Sequence, residues 1–386
     1  MVAKIDQLPQ EILSNILSRL PSRELLNCKY VSKSWFNLII HPGFVNQYYV
    51  FHNSFMYSQK QHQRLWVIRT LFNHSGVEIH FPLMFWNFDE PKNNVLTSPL
   101  NLPSVYIRDE TFWNEIFGPC NGLYYLQGFP NNILINPSLK QCIVLSSPQF
   151  SLTSERAYLK FEFAGFGFDP KTNDYKILLL KDVWLKKANG EREKGYWIAF
   201  LYSLNSHSWR ELNAEDLPLP FEISRESSAV YTFMNSCCHW LSYVDKDGGG
   251  IEDFVLAFNM VDETFRKIKV PKIEGIGIDK CFDVWMMKNY WDAESWIKLY
   301  SAGPVPMVSK FVGFYGINGF LWKDNDERLI LYDSDNDKMM DLQVYGNGKS
   351  IRVVRYMESI VSLPKIDSFK YLIIRTNLAG VINNIW

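Results

Sequence analysis

Phe168-Asp169-Pro170-Lys171-Thr172-Asn173-Asp174-Tyr175 sets two aromatic residues seven positions apart around a segment rich in the turn formers Asp, Pro and Asn. The same layout returns four times, with Ile135 and Cys142, Tyr202 and Trp209, Phe258 and Phe265, and Tyr332 and Met339 as its apolar ends. Each copy reads as a β-hairpin whose end residues face each other, where an aromatic pair contributes about 0.2 to 1 kcal/mol. Some hairpins follow a second element, Asn121-Gly122-Leu123-Tyr124-Tyr125, Asn235-Ser236-Cys237-Cys238-His239-Trp240-Leu241 or Asn318-Gly319-Phe320-Leu321-Trp322, which reads as an inner strand after a turn. The spacing of the hairpins suits four-stranded blades of roughly 40 to 50 residues, and the long interval before Tyr332 has room for an extra strand pair at Asp283 to Lys288 and Trp296 to Tyr300. Residues 49–386 are therefore expected to form a kelch-like β-propeller of about six blades, with a β-sandwich as the alternative.

Composition agrees with a β-rich body. Aromatic residues make up 16 % of the chain, and they favour pleated, half-buried surfaces. At 386 residues the chain exceeds the roughly 250 to 300 that one core serves, so a small domain beside a large one, or a repeat architecture, is expected. A hydrophobic content of 47 % excludes disorder, and 40 basic residues against 41 acidic ones leave no global field for nucleic acid or a membrane surface. No apolar run approaches the 18 or so residues of a membrane helix, and the first residues lack the apolar stretch of a signal peptide, so a soluble, cytoplasmic chain is expected. Six cysteines without Cys-x-x-Cys spacing read as reduced thiols, mostly in the core.

The first 48 residues follow a different rule. Leu8, Ile12, Leu13, Ile16, Leu17 and Leu20 recur on one helical face, with Pro9 suited to its first turn and Pro21 stopping it. Ser22 is expected to cap a second helix carrying Leu25 and Leu26, and Ser32 a third carrying Trp35, Phe36, Ile39 and Ile40 that ends at His41-Pro42. Three short helices bury too little apolar surface to stand alone, so a neighbour or partner should complete them. The expected class is α+β multidomain: a three-helix domain at 1–48 and an all-β domain at 49–386.

Catalytic constellations are lacking. Cys237-Cys238-His239 has the atoms for zinc or thiol chemistry, but adjacent strand residues point to opposite faces and no further ligand pair is at hand. Gly248-Gly249-Gly250 is followed by acids and a strand, so it reads as a hairpin tip and not a phosphate loop. With no Walker loop, Gly-x-Ser-x-Gly or His-Glu-x-x-His, the expectation is a non-catalytic protein without metal or cofactor. Two stretches are acidic. Residues 245–263 carry Asp245, Asp247, Glu252, Asp253, Asp262 and Glu263 against Lys246, and residues 324–337 carry Asp324, Asp326, Glu327, Asp333, Asp335 and Asp337 against Arg328. Asp245, Asp247, Asp253, Asp324, Asp326 and Glu327 are the candidates for attracting a basic partner, the competing reading being solvated turns rich in Asp.

The run from Leu8 to Pro21, followed by Leu25-Leu26 and Val31-Ser32-Lys33-Ser34-Trp35, resembles an F-box. That resemblance implies docking on a Skp-type adaptor, and through it on a cullin, with Leu8, Pro9, Ile12, Ile16, Val31, Ser32 and Trp35 facing the adaptor. Gly118-Pro119-Cys120-Asn121-Gly122-Leu123, Ile135-Asn136-Pro137, Gly165-Phe166-Gly167-Phe168-Asp169-Pro170 with Asp174-Tyr175-Lys176, and Tyr202-Ser203-Leu204 with Ser208-Trp209-Arg210 look like the plant F-box-associated domain over about 110 to 345. In detail the chain looks most like pollen S-locus F-box proteins. Membership there implies a substrate receptor of a ubiquitin ligase that recognises non-self S-locus ribonucleases in the pollen tube cytosol during self-incompatibility. Those ribonucleases are typically basic, which matches the acidic stretches.

Overall fold

The computed structural model describes residues 8–58, 63–73, 76–80, 83–86, 96–97, 115–128, 132–213, 217, 220–224, 233–246, 249–271, 281–305, 308–315, 318–345 and 351–364. The chain opens with α1 (Gln10–Leu17), α2 (Ser22–Cys28), α3 (Lys33–Ile40) and α4 (Pro42–Ser58). Pro9 and Pro21 occupy the N-cap positions of α1 and α2, and Ser32 caps α3 by accepting from the Trp35 N–H. Two expectations are corrected. Ser22 is the first residue of α2, not its cap, and its N–H donates at 2.9 Å to the Glu358 carboxylate from the far end of the chain. There are four helices here, not three: His41 and Pro42 end α3, but Pro42 also opens α4, which buries Phe44, Tyr48 and Tyr49 against the first three helices.

The remainder is antiparallel sheet. β1 (Gln63–Asn73), β2 (Gly76–His80), β3 (Leu83–Trp86) and β4 (Leu96–Thr97) form one sheet in the order β2-β1-β3-β4. Next come two sequential four-stranded sheets, β5 (Glu115–Cys120), β6 (Leu123–Gln127), β7 (Asn132–Asn136) and β8 (Gln141–Leu145), then β9 (Ala157–Asp169), β10 (Asp174–Lys186), β11 (Arg192–Ser203) and β12 (Ser208–Glu211). A third is built by β13 (Glu222–Ile223) and β14 (Phe233–Met234) on β15 (Cys237–Asp245), with β16 (Ile251–Asn259) and β17 (Phe265–Lys269). A two-stranded ribbon, β18 (Phe282–Met287) and β19 (Trp296–Ala302), precedes the last, β20 (Val308–Tyr315), β21 (Gly319–Asp324), β22 (Arg328–Asp333) and β23 (Lys338–Tyr345). Finally β24 (Arg352–Arg355) returns to pair with β1, Trp66 opposite Val354. β24 lies between β20 and β5, β5 against β9, and β9 against β15, so the sheets follow one another as a propeller. Among the described residues four blades are found rather than six. The ribbon has two strands, and the β1 sheet is completed by β24, the last strand among the described residues, instead of being a local meander.

All five hairpin pairs sit in register: Ile135 opposite Cys142, Phe168 opposite Tyr175, Tyr202 opposite Trp209, Phe258 opposite Phe265, and Tyr332 opposite Met339. Their common spacing comes from a common turn. The residue after the first apolar one (Asn136, Asp169, Ser203, Asn259 or Asp333) accepts a backbone N–H two or three positions on through its side chain. The residue five after the first apolar one (Lys140, Asn173, His207, Glu263 or Asp337) is left-handed, with φ between 47° and 58°. The aromatic ends meet as tilted pairs, with ring centroids 4.8 Å apart for Phe168 and Tyr175 and 4.7 Å for Phe258 and Phe265.

Two devices tie these parts together. Lys176, buried at the end of the Phe168 hairpin, donates to Asp169 at 2.8 Å and reaches the next blade at the Met260 carbonyl (2.8 Å) and Glu263 (3.0 Å). The second is a strap, residues 355–363, running between the helices and the β5–β8 blade. Ile360 packs with Leu13, Leu17 and Trp35 in the helical core, while Leu363 enters the core of β5 to β11. Hydrogen bonds run in one direction from Ile360 N–H to Tyr49 Oη, from Tyr49 to Ser359 Oγ, and from Ser359 to the Asn121 carbonyl at 2.8 Å. Asn136 Nδ2 donates to the Val361 carbonyl at 2.6 Å, and the Tyr124 hydroxyl donates to the Arg355 carbonyl at 2.8 Å. Gly122, at φ +70°, is where the strap crosses closest: a Cβ there would lie 2.7 Å from the Glu358 carbonyl oxygen.

Replacing Lys176 by Met removes the only cation paired with the buried Asp169 carboxylate among the described residues and the donor to the Met260 carbonyl, and should cost about 3 to 5 kcal/mol in denaturant unfolding. Burial works against the Asp169 charge, but bonds from Lys176, Thr172 and the Lys171 N–H outweigh it and hold its pKa below the ordinary carboxylate value. Its contribution is present above about pH 4 and is lost as pH falls through the folded value. A Lys176→Met protein as stable as wild type at neutral pH would contradict this latch.

Candidate protein-interaction surfaces

The apolar residues of α1 divide between two faces. Leu13 and Leu17 are buried, whereas Ile12 and Ile16, one turn apart, are 49 % and 47 % exposed. Val31, in the turn between α2 and α3, is 58 % exposed and Tyr30 beside it 90 %. Pro9 is exposed and Leu8 half-buried. Of the residues expected to face an adaptor, Leu8, Pro9, Ile12, Ile16 and Val31 thus have surface to offer. Ser32 and Trp35 serve the helices themselves, Ser32 as the cap of α3 and Trp35, 9 % exposed, within the core formed with Leu13, Leu17, Leu25 and Leu38. Phe36 and Ile40, expected only as apolar residues of α3, and Tyr30, which was not among the expected adaptor-facing residues, are exposed as well.

The acidic candidates also separate. Asp324 is buried, accepting from the Asp326 and Arg328 N–H groups at 2.9 and 2.8 Å and from Arg328 Nε at 2.8 Å. Glu327 holds the buried Lys323 ammonium at 2.6 Å. Those two acids are occupied by their own turn, so replacing them would disturb the fold as well as the surface field. Asp326 is 76 % exposed and pairs loosely with Arg328 at 3.2 Å. Asp245 and Asp253 are exposed on the β15–β16 hairpin, and Asp247 lies outside the described residues.

Cys237 and Cys238 are buried, as read from the strand pattern. Cys238 Sγ donates to the Phe166 carbonyl, while the alternate residue His239 meets the Tyr290 hydroxyl at 2.7 Å. Tyr290 also bonds Cys237, so the β18–β19 turn covers the face that Cys237 and His239 share. Burial pushes both thiols up, which keeps them protonated and poor nucleophiles. Among the described residues no three His, Cys, Asp or Glu side chains are grouped to hold a metal, and no helix is long and apolar enough to cross a membrane.

The arrangement is therefore an exposed apolar helical face at one end, a β-propeller at the other, and a strap that fixes one to the other. Comparison with known families agrees. Residues 70–290, more than half of the chain, match the F-box associated beta propeller domain, and residues 5–47 match the F-box-like family. The chain belongs to the F-box proteins that carry this propeller. Among its relatives are the F-box protein CPR1 of Arabidopsis thaliana, 23 % identical with 87 % of this chain and 84 % of that one aligned, and the F-box protein At3g07870 of the same plant, 24 % identical with 96 % and 88 % aligned. The F-box/kelch-repeat protein At3g23880, also from Arabidopsis thaliana, is 23 % identical over 79 % of this chain and 81 % of its own.

Proposed function

We propose that this protein is the substrate-recognition subunit of a Skp-cullin-F-box ubiquitin ligase, a non-catalytic receptor that works by proximity. The observation that carries the reading is the division of the helical domain's apolar residues. Leu13, Leu17 and Trp35 build a core, while Ile12, Ile16, Tyr30 and Val31 remain exposed. Exposed apolar side chains in this number on a small helical domain suit a protein partner, and the F-box match supports a Skp-type adaptor, itself joined to a cullin, as that partner. Changing Ile12 and Val31 together to Asp should weaken adaptor binding by about a hundredfold or more with the unfolding temperature unchanged, because both are exposed. Trp35→Ala should instead destabilise the chain by about 3 to 5 kcal/mol, the cost of emptying a core site. Wild-type adaptor binding by the folded double variant in a titration would remove the reading.

For the substrate, we infer a basic protein held by the loops of the propeller, and in particular a non-self S-locus ribonuclease in the pollen tube cytosol. The motif likeness to pollen S-locus F-box proteins and the exposed Asp245, Asp253 and Asp326 support this. The competing reading is a receptor for an unrelated plant protein, and the internal roles of Asp324 and Glu327 favour it by shrinking the acidic surface. Asp245, Asp253 and Asp326 changed together to Asn should slow association with a basic S-locus ribonuclease and flatten its dependence on salt, with thermal stability kept. Identical salt slopes for the variant and the wild type, or no binding across a panel of such ribonucleases, would turn the choice to the unrelated substrate.

A further inference from the structure

Where the helices, the strap and the propeller meet, they line a half-open cavity of about 510 Å³, a size usual for small-molecule sites. Its walls come from three distant parts of the chain: Lys29, Ile39 and Val45 from the helical domain, Ile360 from the strap, and Phe168 and Tyr175 among the propeller turns.

Two donors in this wall have no acceptor among the described residues. Lys29 is half-buried at the C-terminal end of α2, has no ion pair, and no carboxylate shares the wall with it. The buried Tyr175 hydroxyl accepts from Asn121 Nδ2 at 3.1 Å, which occupies a lone pair and leaves its proton to give. Burial lowers the Lys29 pKa, a penalty on the charge that an adjacent anion would relieve. Much of the remaining wall is aliphatic or aromatic, with the Phe168 and Tyr175 rings 4.8 Å apart and Phe233 beside them. Asn46, Asn121, Asn173, Ser236 and Ser362 add neutral polar groups to the wall, so Lys29 is its one cation, which suits a singly charged organic acid better than phosphate, which draws several charged donors.

We propose that this cavity binds a small organic anion, a monocarboxylate on a flat apolar body, with Lys29 pairing and Tyr175 donating to the carboxylate and the Phe168 and Phe233 rings flanking the rest. Such a ligand touches the helical domain, the strap and the propeller at once, so its binding energy adds to the link between them. The site requires neither the adaptor nor the substrate.

The test uses the full chain bound to its adaptor and two probes of one shape, 2-naphthoate and the neutral 2-naphthamide, titrated calorimetrically with thermal unfolding in parallel. The naphthoate should bind once per chain and raise the unfolding temperature, and the amide should bind at least about tenfold more weakly. Lys29→Met should abolish that preference, and Tyr175→Phe, which keeps the ring, should weaken the acid more than the amide, because a bond to a carboxylate is stronger than one to an amide oxygen. Inorganic phosphate forms a third arm. Equal affinity for acid and amide, phosphate binding as tight as naphthoate, or no saturable binding by the wild type would each overturn the proposal. Undiminished naphthoate binding by Lys29→Met would overturn it as well. Adaptor capture measured on the same samples reports on the ligase reading separately, and the wild-type comparison of the two probes decides the matter even where a variant fails to fold.

Discussion

Ser359 stands at the point on which the rest of the structure depends. Its hydroxyl accepts a hydrogen bond from Tyr49 of the helical domain and donates one to the Asn121 carbonyl at the edge of the β5–β8 blade. Its backbone N–H meets Ser138 in the same blade. Around it Glu358 supplies an acceptor to the N-terminus of α2, and Ile360 completes a core that the helices close only in part. A few residues that follow β24 thereby satisfy polar groups in both domains. An unmade hydrogen bond in such a buried place costs about 1 to 3 kcal/mol, so the strap and its two walls are held in one arrangement. The same segment begins at β24, which pairs with β1, so closure of the propeller and docking of the helices are one event in the chain's topology.

That constraint gives the turn motifs a meaning beyond local geometry. Asn136 caps its own turn through Oδ1 and holds the Val361 carbonyl through Nδ2. Asp169 organises the next turn and also fixes Lys176, which crosses to the following blade. Residues that look like turn formers in the sequence are therefore also the contacts between blades and between domains. A rigid β body of this kind leaves its loops free to vary, which is what a receptor for protein substrates requires.

Much of this was legible in the sequence, and the physical reason is repetition. A turn with one Asx or Ser acceptor and one left-handed residue has a fixed length, so the seven-residue spacing located five hairpins and their partners. The α1 to α3 boundaries were legible because prolines and Ser32 act locally. What escaped was long-range. In α4, Phe44, Tyr48 and Tyr49 recur at helical spacing, but His41-Pro42-Gly43 reads as a stop and the aromatic residues read as strand. The Glu358 cap of α2 replaces the expected Ser22 across more than three hundred residues, a pairing no local pattern reveals. Blade count failed for a related reason: β24, the last strand among the described residues, belongs to the first sheet. At the candidate surfaces, residue type pointed to the right segments but not to which side chain faces outward. Ile12 and Leu13 are both apolar, and Asp324 and Asp326 both acidic, yet one of each pair is internal.

The strap holds the exposed helical face and the propeller in one fixed geometry. Spin labels at Asn37→Cys on α3 and Lys171→Cys on the propeller, in a background with the exposed Cys281 changed to Ser, would report the separation directly by pulsed electron resonance. A single narrow distance distribution is predicted for the otherwise wild-type chain, broadening when Glu358→Ala and Ser359→Ala remove the strap's bonds to α2, Tyr49 and Asn121. A broad distribution before those changes, or a narrow one that survives them, would contradict the account.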